Sequence, residues 1–173
     1  NPPYLSASVY DANFFVAKTK NAFTGVVNCA ESSIEKGITT LLREMERARR
    51  FGFTETEYNR ARTNYQQAWQ IGYNERNKRK NNEFTQQCIR HFLDQEPLIG
   101  IENEYNMCCN QIAPVITVEM LNGIMDKLMP GDNQVVAIVA PLKDGLSLPT
   151  EESVKKILKE IKEEQLTPYE DKQ

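Results

Sequence analysis

The sequence predicts an α+β fold, an antiparallel or mixed sheet with helices packed on one face. Three observations predict it. Residues 4–31 have strand-like composition, residues 33–129 carry a succession of amphipathic helical patterns, and "QVVAIVAP" at 134–141 returns to an uninterrupted apolar run.

In the first block "YLSASVY" alternates, Asp11 with Asn13 gives a turn signal, and "AFTGVVNCAE" supplies Phe23, Thr24, Val26, Val27 and Cys29 around Gly25. "FFVAKTKN" between them reads as strand or irregular structure. From Ser33 the period becomes helical. Ile34, Gly37, Ile38, Leu41, Leu42, Met45 and Ala48 form one apolar stripe, opposite Glu35, Lys36, Arg43, Glu44, Glu46, Arg47 and Arg50. Arg47, Arg49 and Arg50 crowd the end of that helix, where cations suit the dipole, and Gly52 offers the left-handed residue that stops it.

"GFTETEYNRARTNY" follows. Thr54 and Glu57 have the spacing of a capping box, and Phe53 with Tyr58 that of a hydrophobic staple. Tyr58, Ala61, Tyr65, Ala68, Trp69 and Gly72 then make the inward stripe of a second helix. A third, around 83–94, rests on Phe84, Cys88, Phe92 and Leu93 and is broken by Pro97 and Gly100. "IENEYNMCCNQI" is a short fourth helix. Thr117 caps a fifth, with Met120, Leu121, Ile124, Met125 and Leu128 inward. Pro130 to Asn133 turn into "QVVAIVAP", whose continuous apolar character suits a strand at 134–140 buried on both faces. Thr150 caps a final helix at about 151–164 with Val154, Ile157, Leu158 and Ile161 inward. The expected division is a partial domain over 1–141 and a linker over 142–173.

Composition narrows the function classes. With 173 residues, 40% hydrophobic and 26% charged, the chain can bury one core, and its net charge of −3 gives no global attraction to nucleic acid. No apolar run reaches the ~20 residues of a membrane span. "NPPYLSASVY" has no basic-then-apolar leader and reads as the edge of a processed piece, which leaves the compartment open. The four cysteines, Cys29, Cys88, Cys108 and Cys109, contain no Cys-x-x-Cys and read as free thiols.

Candidate chemistry is sparse. His91 is the only histidine, so no helical His pair can hold zinc. Asp94 could orient it and Cys88 lies one turn earlier, yet no oxyanion-stabilising element accompanies them. Arg76, Lys78, Arg79 and Lys80, flanked by Tyr73 and Phe84, could form a basic nucleic-acid patch, but a solvated helix end is the better reading. Glu44/Glu46, Glu102/Glu104 and Glu151/Glu152 read as solvated faces or caps, and Gly131 and Gly145 as isolated turn residues. No catalytic, cofactor-binding or metal-binding residue is assigned.

The ordered combination carries more than any motif. "LLREMERARRFGFTETEYNRARTNY", with Gly52, Thr54, Glu57, Arg60 and Ala61, resembles a recurrent segment of the pitrilysin/insulinase family of zinc metallopeptidases. Thr117 to Pro141 is similar to that family's closing helix–turn–strand unit, and "LPTEESVKKILKEIKEEQLTPYED" resembles the linker between the halves of bacterial members. The resemblance implies part of a clamshell domain of the mitochondrial processing peptidase type: the later part of the second domain of the first half, plus the inter-half linker. It further implies a parent that hydrolyses peptides with zinc held on residues outside this chain, and export to the periplasm in some bacterial relatives. This chain would be an inactive wall and hinge, partnered by the remainder of the parent, and its incomplete sheet predicts self-association or element swapping. Two rivals are a piece of an inactive scaffold subunit of the same family and, more distantly, a nucleic-acid-binding module.

Overall fold

In the computed structural model, residues 3–14 and 17–170 are described. Their only sheet is a hairpin of β1 (Ser6–Phe14) and β2 (Ala17–Asn28), paired antiparallel from Ser6 opposite Asn28 to Asn13 opposite Asn21. Asp11 and Asn13 therefore do not turn the chain, as their residue types suggested; they pair with Phe23 and Asn21 inside the ladder. Ladder hydrogen bonds outweigh local turn preference there. Phe15 and Val16 of the "FFVAKTKN" stretch lie outside the described residues.

Two compact units divide the chain differently from the expected domain and linker: residues 1–52 with 122–173, and residues 53–121. In the first, α1 (Ile34–Phe51) lies on β2. Two glycines let the helix and the strand approach. A Cβ on Gly25 of β2 would stand 2.6 Å from Met45 Sδ and 3.3 Å from Leu41 Cδ2, and one on Gly37 of α1 would overlap the Cys29 sulfur. Gly25, which looked like an interruption of the strand, is where the α1 stripe seats. Gly52 ends α1 as expected, at φ 69°, donating its N–H to the Ala48 carbonyl.

The helix expected to be a linker is α7 (Glu151–Glu163), capped by Thr150 accepting from the Ser153 N–H. It packs on α1 and buries Val154, Ile157 and Ile161. Three arginines of α1 hold its far end. Arg50 donates to the carbonyls of Ile161 (3.1 Å), Lys162 (2.8 Å) and Glu164 (2.8 Å), where α7 stops. Arg43 Nε grips both oxygens of the Glu164 carboxylate at 2.9 and 3.0 Å, and Arg47 donates to the Thr167 carbonyl. Glu46 receives Arg49 and Arg50 together, and the hydrogen bond from Arg49 is the main reason its carboxyl sits below the ordinary glutamate range despite partial burial.

Between these helices in sequence, the Thr117-capped helix is split into α5 (Val118–Asn122) and α6 (Met125–Leu128). Met125 is buried, whereas Met120 and Ile124, expected inward, are exposed. The strand expected at 134–140 does not form among the described residues. The run makes no ladder, and Val135, Val136 and Val139 face solvent, Val139 with 97% of its surface exposed. A strand buried on both faces needs a ladder partner at its edge and packed elements over each face, and among the described residues this run has neither.

The second unit is built on α2 (Glu55–Asn74). Both capping-box bonds are present: Thr54 Oγ1 accepts from the Glu57 N–H, and the Glu57 carboxylate accepts from the Thr54 N–H. Tyr58 gives its hydroxyl to the Ile116 carbonyl. Against α2 lies α4 (Ile101–Tyr105), continued by a wider π-helical stretch, Asn106–Ile112. Cys108 and Cys109 are buried in that stretch. The stripe read on α2 is covered only in part, with Ala61, Tyr65 and Ala68 exposed. In α3 (Asn81–Asp94), Phe84, Ile89, Phe92 and Leu93 are all exposed.

Two outcomes are expected. Gly37→Ala should cost ~1–3 kcal/mol by forcing a methyl against Cys29, and Cys29→Ala in the same chain should recover most of it. Chemical denaturation of the four-member cycle checks the coupling. Arg50→Ala should leave overall helicity unchanged by circular dichroism, while α7 amides exchange faster with solvent by roughly tenfold, the loss of ~1–2 kcal/mol of charge-assisted bonding.

Candidate functional site

Each residue weighed for chemistry can be placed. His91 is exposed on the last turn of α3, its Nδ1 2.6 Å from the Glu96 carbonyl oxygen. That contact puts the proton on Nδ1 and makes the imidazole part of the helix end, where Gln95 turns left-handed at φ 58°. Arg90 pairs with Glu96 at 3.0 Å and closes the same corner. Cys88 is exposed on the same helix. The surroundings of His91 are solvent and backbone rather than a closed cleft, so the group is arranged as a helix stop.

The two arginines of the basic run are engaged, while Lys78 and Lys80 are exposed. Arg76 stacks 4.5 Å from the Tyr73 ring centre and pairs with Glu102 at 3.3 Å. Arg79 stacks 4.5 Å from the Phe84 ring centre and pairs with Glu83 at 3.3 Å. Tyr73 in turn stacks on Tyr105, with centroids 4.8 Å apart, and Tyr105 donates to Gln70. The aromatics that flank the cations are thus joined to them, tying α2 to α4 and bracing the turn into α3. Phosphate recognition needs cations facing outward and free to displace counterions. Arg76 and Arg79 are committed elsewhere.

The vicinal cysteines belong to packing. Cys109 points its thiol toward the Gln66 carbonyl (3.9 Å), and burial, with Cys108 beside it, pushes its ionisation above the ordinary thiol range. Tyr65, edge-on to Trp69, is also raised, first by its contact with Cys108 and then by burial. Thiols activated for attack are shifted the opposite way.

Two shallow, open concavities remain. One of about 400 Å³ lies over the first turns of α1, where Thr39 and Thr40 return their hydroxyls to the Glu35 and Lys36 carbonyls of their own helix. The other, about 340 Å³, runs between α2 and the π-helical stretch, lined by Thr63, Gln66, Gln67, Gln70, Tyr105, Cys109 and Asn110. It offers mainly amides and hydroxyls, groups that suit peptide-backbone hydrogen bonding; its one thiol, Cys109, is held above the ordinary thiol range by burial, and the lining contains no base. Sequence reading passed over this groove, though Gln66, Gln67 and Gln70 recur on adjacent helical rows. It likewise missed the grip of Arg43, Arg47 and Arg50 on α7, signalled by spacings of four and three that put them on one side of α1. Among the described residues no three or more of His, Cys, Asp and Glu converge as a metal would need, and no helix is long and apolar enough to cross a membrane.

No protein-family model matches the chain, and no curated protein matches it significantly in sequence. Among solved structures it is similar to the first half of the periplasmic protease PqqL from Escherichia coli, with a TM-score of 0.74 at 15% identity. The match covers 98% of this chain and 36% of that one. The likeness establishes the fold, that of part of a protease half, and the chain spans about a third of its neighbour's length.

The thiols provide a check on the placement of this unit. Iodoacetamide at mildly alkaline pH should modify Cys88 first, at least about tenfold faster than Cys109, because Cys109 is both buried and harder to ionise. Peptide mapping of a time course reads the order, and early modification of Cys109 would contradict its burial.

Proposed function

We propose that the chain is a non-catalytic part of a zinc metallopeptidase of the pitrilysin/insulinase type, serving as chamber wall and hinge. One observation carries the proposal: nearly the whole chain superimposes on part of a protease half. The family resemblance of "LLREMERARRFGFTETEYNRARTNY" and of residues 117–141 agrees with it.

The chemistry of the chain fits a supporting role. With one histidine, it cannot supply a His-x-x-Glu-His helix, so the zinc and its ligands belong to residues outside it. The amide-lined groove beside α2 could contact an extended substrate without cleaving it. The α7 helix, fixed to α1 at one end and followed by "TPYEDKQ", would be the root of the connection to a second half. Export to the periplasm is part of the proposal, supported by the compartment named for the structural neighbour.

The 173-residue chain, dialysed against zinc and then against buffer, should retain well under one equivalent by metal analysis. It should also leave unstructured peptides uncut over hours. Stoichiometric zinc that survives His91→Ala, or zinc-dependent cleavage, would reverse the assignment of the metal site to another part of the protein.

A further inference from the structure

The residues Gln134–Pro141 form an apolar run that is exposed over much of its length. Val135 is 72% and Val139 97% exposed, and Leu142 just beyond is fully so. Among the described residues, none of the backbone amides or carbonyls of 134–141 takes part in a helix, a ladder or a turn hydrogen bond. The run holds no charge and is bounded by Pro130 upstream and Pro141 at its end. A stretch of β-branched residues with free backbone groups is a template for strand addition.

Its sequence also indicates what it pairs with. Read outward from Ala137, the run is nearly symmetric: Val136 matches Ile138, Val135 matches Val139, and Gln134 matches Ala140. We propose that this segment pairs antiparallel with the same segment of a second copy of the chain, about a two-fold axis through Ala137. In that register each β-branched side chain faces another across the strands, the favourable cross-strand pairing, and no charge is brought opposite a charge. The β1 edge of the hairpin is a poorer partner, because that strand carries Ser6, Ser8, Asp11 and Asn13. The inference does not rest on the peptidase reading: it concerns the chain's own backbone and holds in any fold that leaves the run open.

A two-stranded pairing without further cover is marginal in water, so the association is concentration-dependent. Sedimentation velocity of the 173-residue chain from about 10 to about 500 µM should show monomer passing into dimer. Val136→Lys, outside every helix and strand, should weaken the dimer by at least about tenfold, since each dimer then carries two lysines in the ladder. Register is tested separately. In a Cys88→Ser background, Ala137→Cys should form an intermolecular disulfide on mild oxidation, because directly opposed strand residues lie within disulfide reach. Val136→Cys alone should cross-link far less, and mixing it with Ile138→Cys should restore the product. A chain monomeric throughout the range overturns the proposal, as does a dimer indifferent to Val136→Lys. Equal cross-linking from positions 136 and 137 overturns the two-fold register.

Discussion

The first unit is organised by a helix that is covered twice. One side of α1 meets β2, at a separation that Gly25 and Gly37 make possible, and its arginines reach over the end of α7. Where α7 stops, Arg50 gives three backbone carbonyls a charged donor. Glu46 holds that guanidinium in place through its own bond to Arg50 Nε at 2.7 Å. Removing the donor leaves the apolar contacts of Val154, Ile157 and Ile161 intact but lets the end of α7 fray. The grip therefore sets where the chain goes after α7, while the apolar stripe sets that α7 docks at all.

The elements legible in the sequence are those whose determinants are local. The capping box of Thr54 and Glu57 needs four residues, the Gly52 stop needs one, and both are present as read. The stripes of α1 and α7 were also readable, because a helical period is internal to the segment. Asp11 and Asn13 failed as turn signals since their setting depends on β2, a partner that local preference ignores. The run at 134–140 failed for a related reason. Its composition describes a strand with both faces covered, and the described residues do not provide that cover.

The candidate site shows the same division. A single histidine excludes a zinc helix from sequence alone, and no structure is needed to see it. That His91 closes the end of α3, and that Arg76 and Arg79 are absorbed by Tyr73, Phe84 and their acidic partners, depends on distances between elements. The amide groove needs both α2 and residues 105–110 to exist and was invisible before they were brought together. The exposed faces of α3 and of 134–140 belong with these observations, since exposure is set by what other elements leave uncovered.

The π-helical stretch at Asn106–Ile112 has an implication for how this sequence can vary. A wider turn holds one more residue than an α-helical turn of the same rise, and the additional residue is absorbed as a local bulge. Around it, Ile101 and Tyr105 face α2 on one side, while Ala113 and Ile116 must still reach their own places on the other. Removing a single residue between 106 and 112 would let the bulge relax into a regular helix with both flanks kept in phase. A deletion of one residue within α1 or α2 would rotate everything downstream by about 100°. Length variation in relatives of this chain should thus concentrate in this one turn, a seam that tolerates gain or loss of a residue inside an otherwise unforgiving helix.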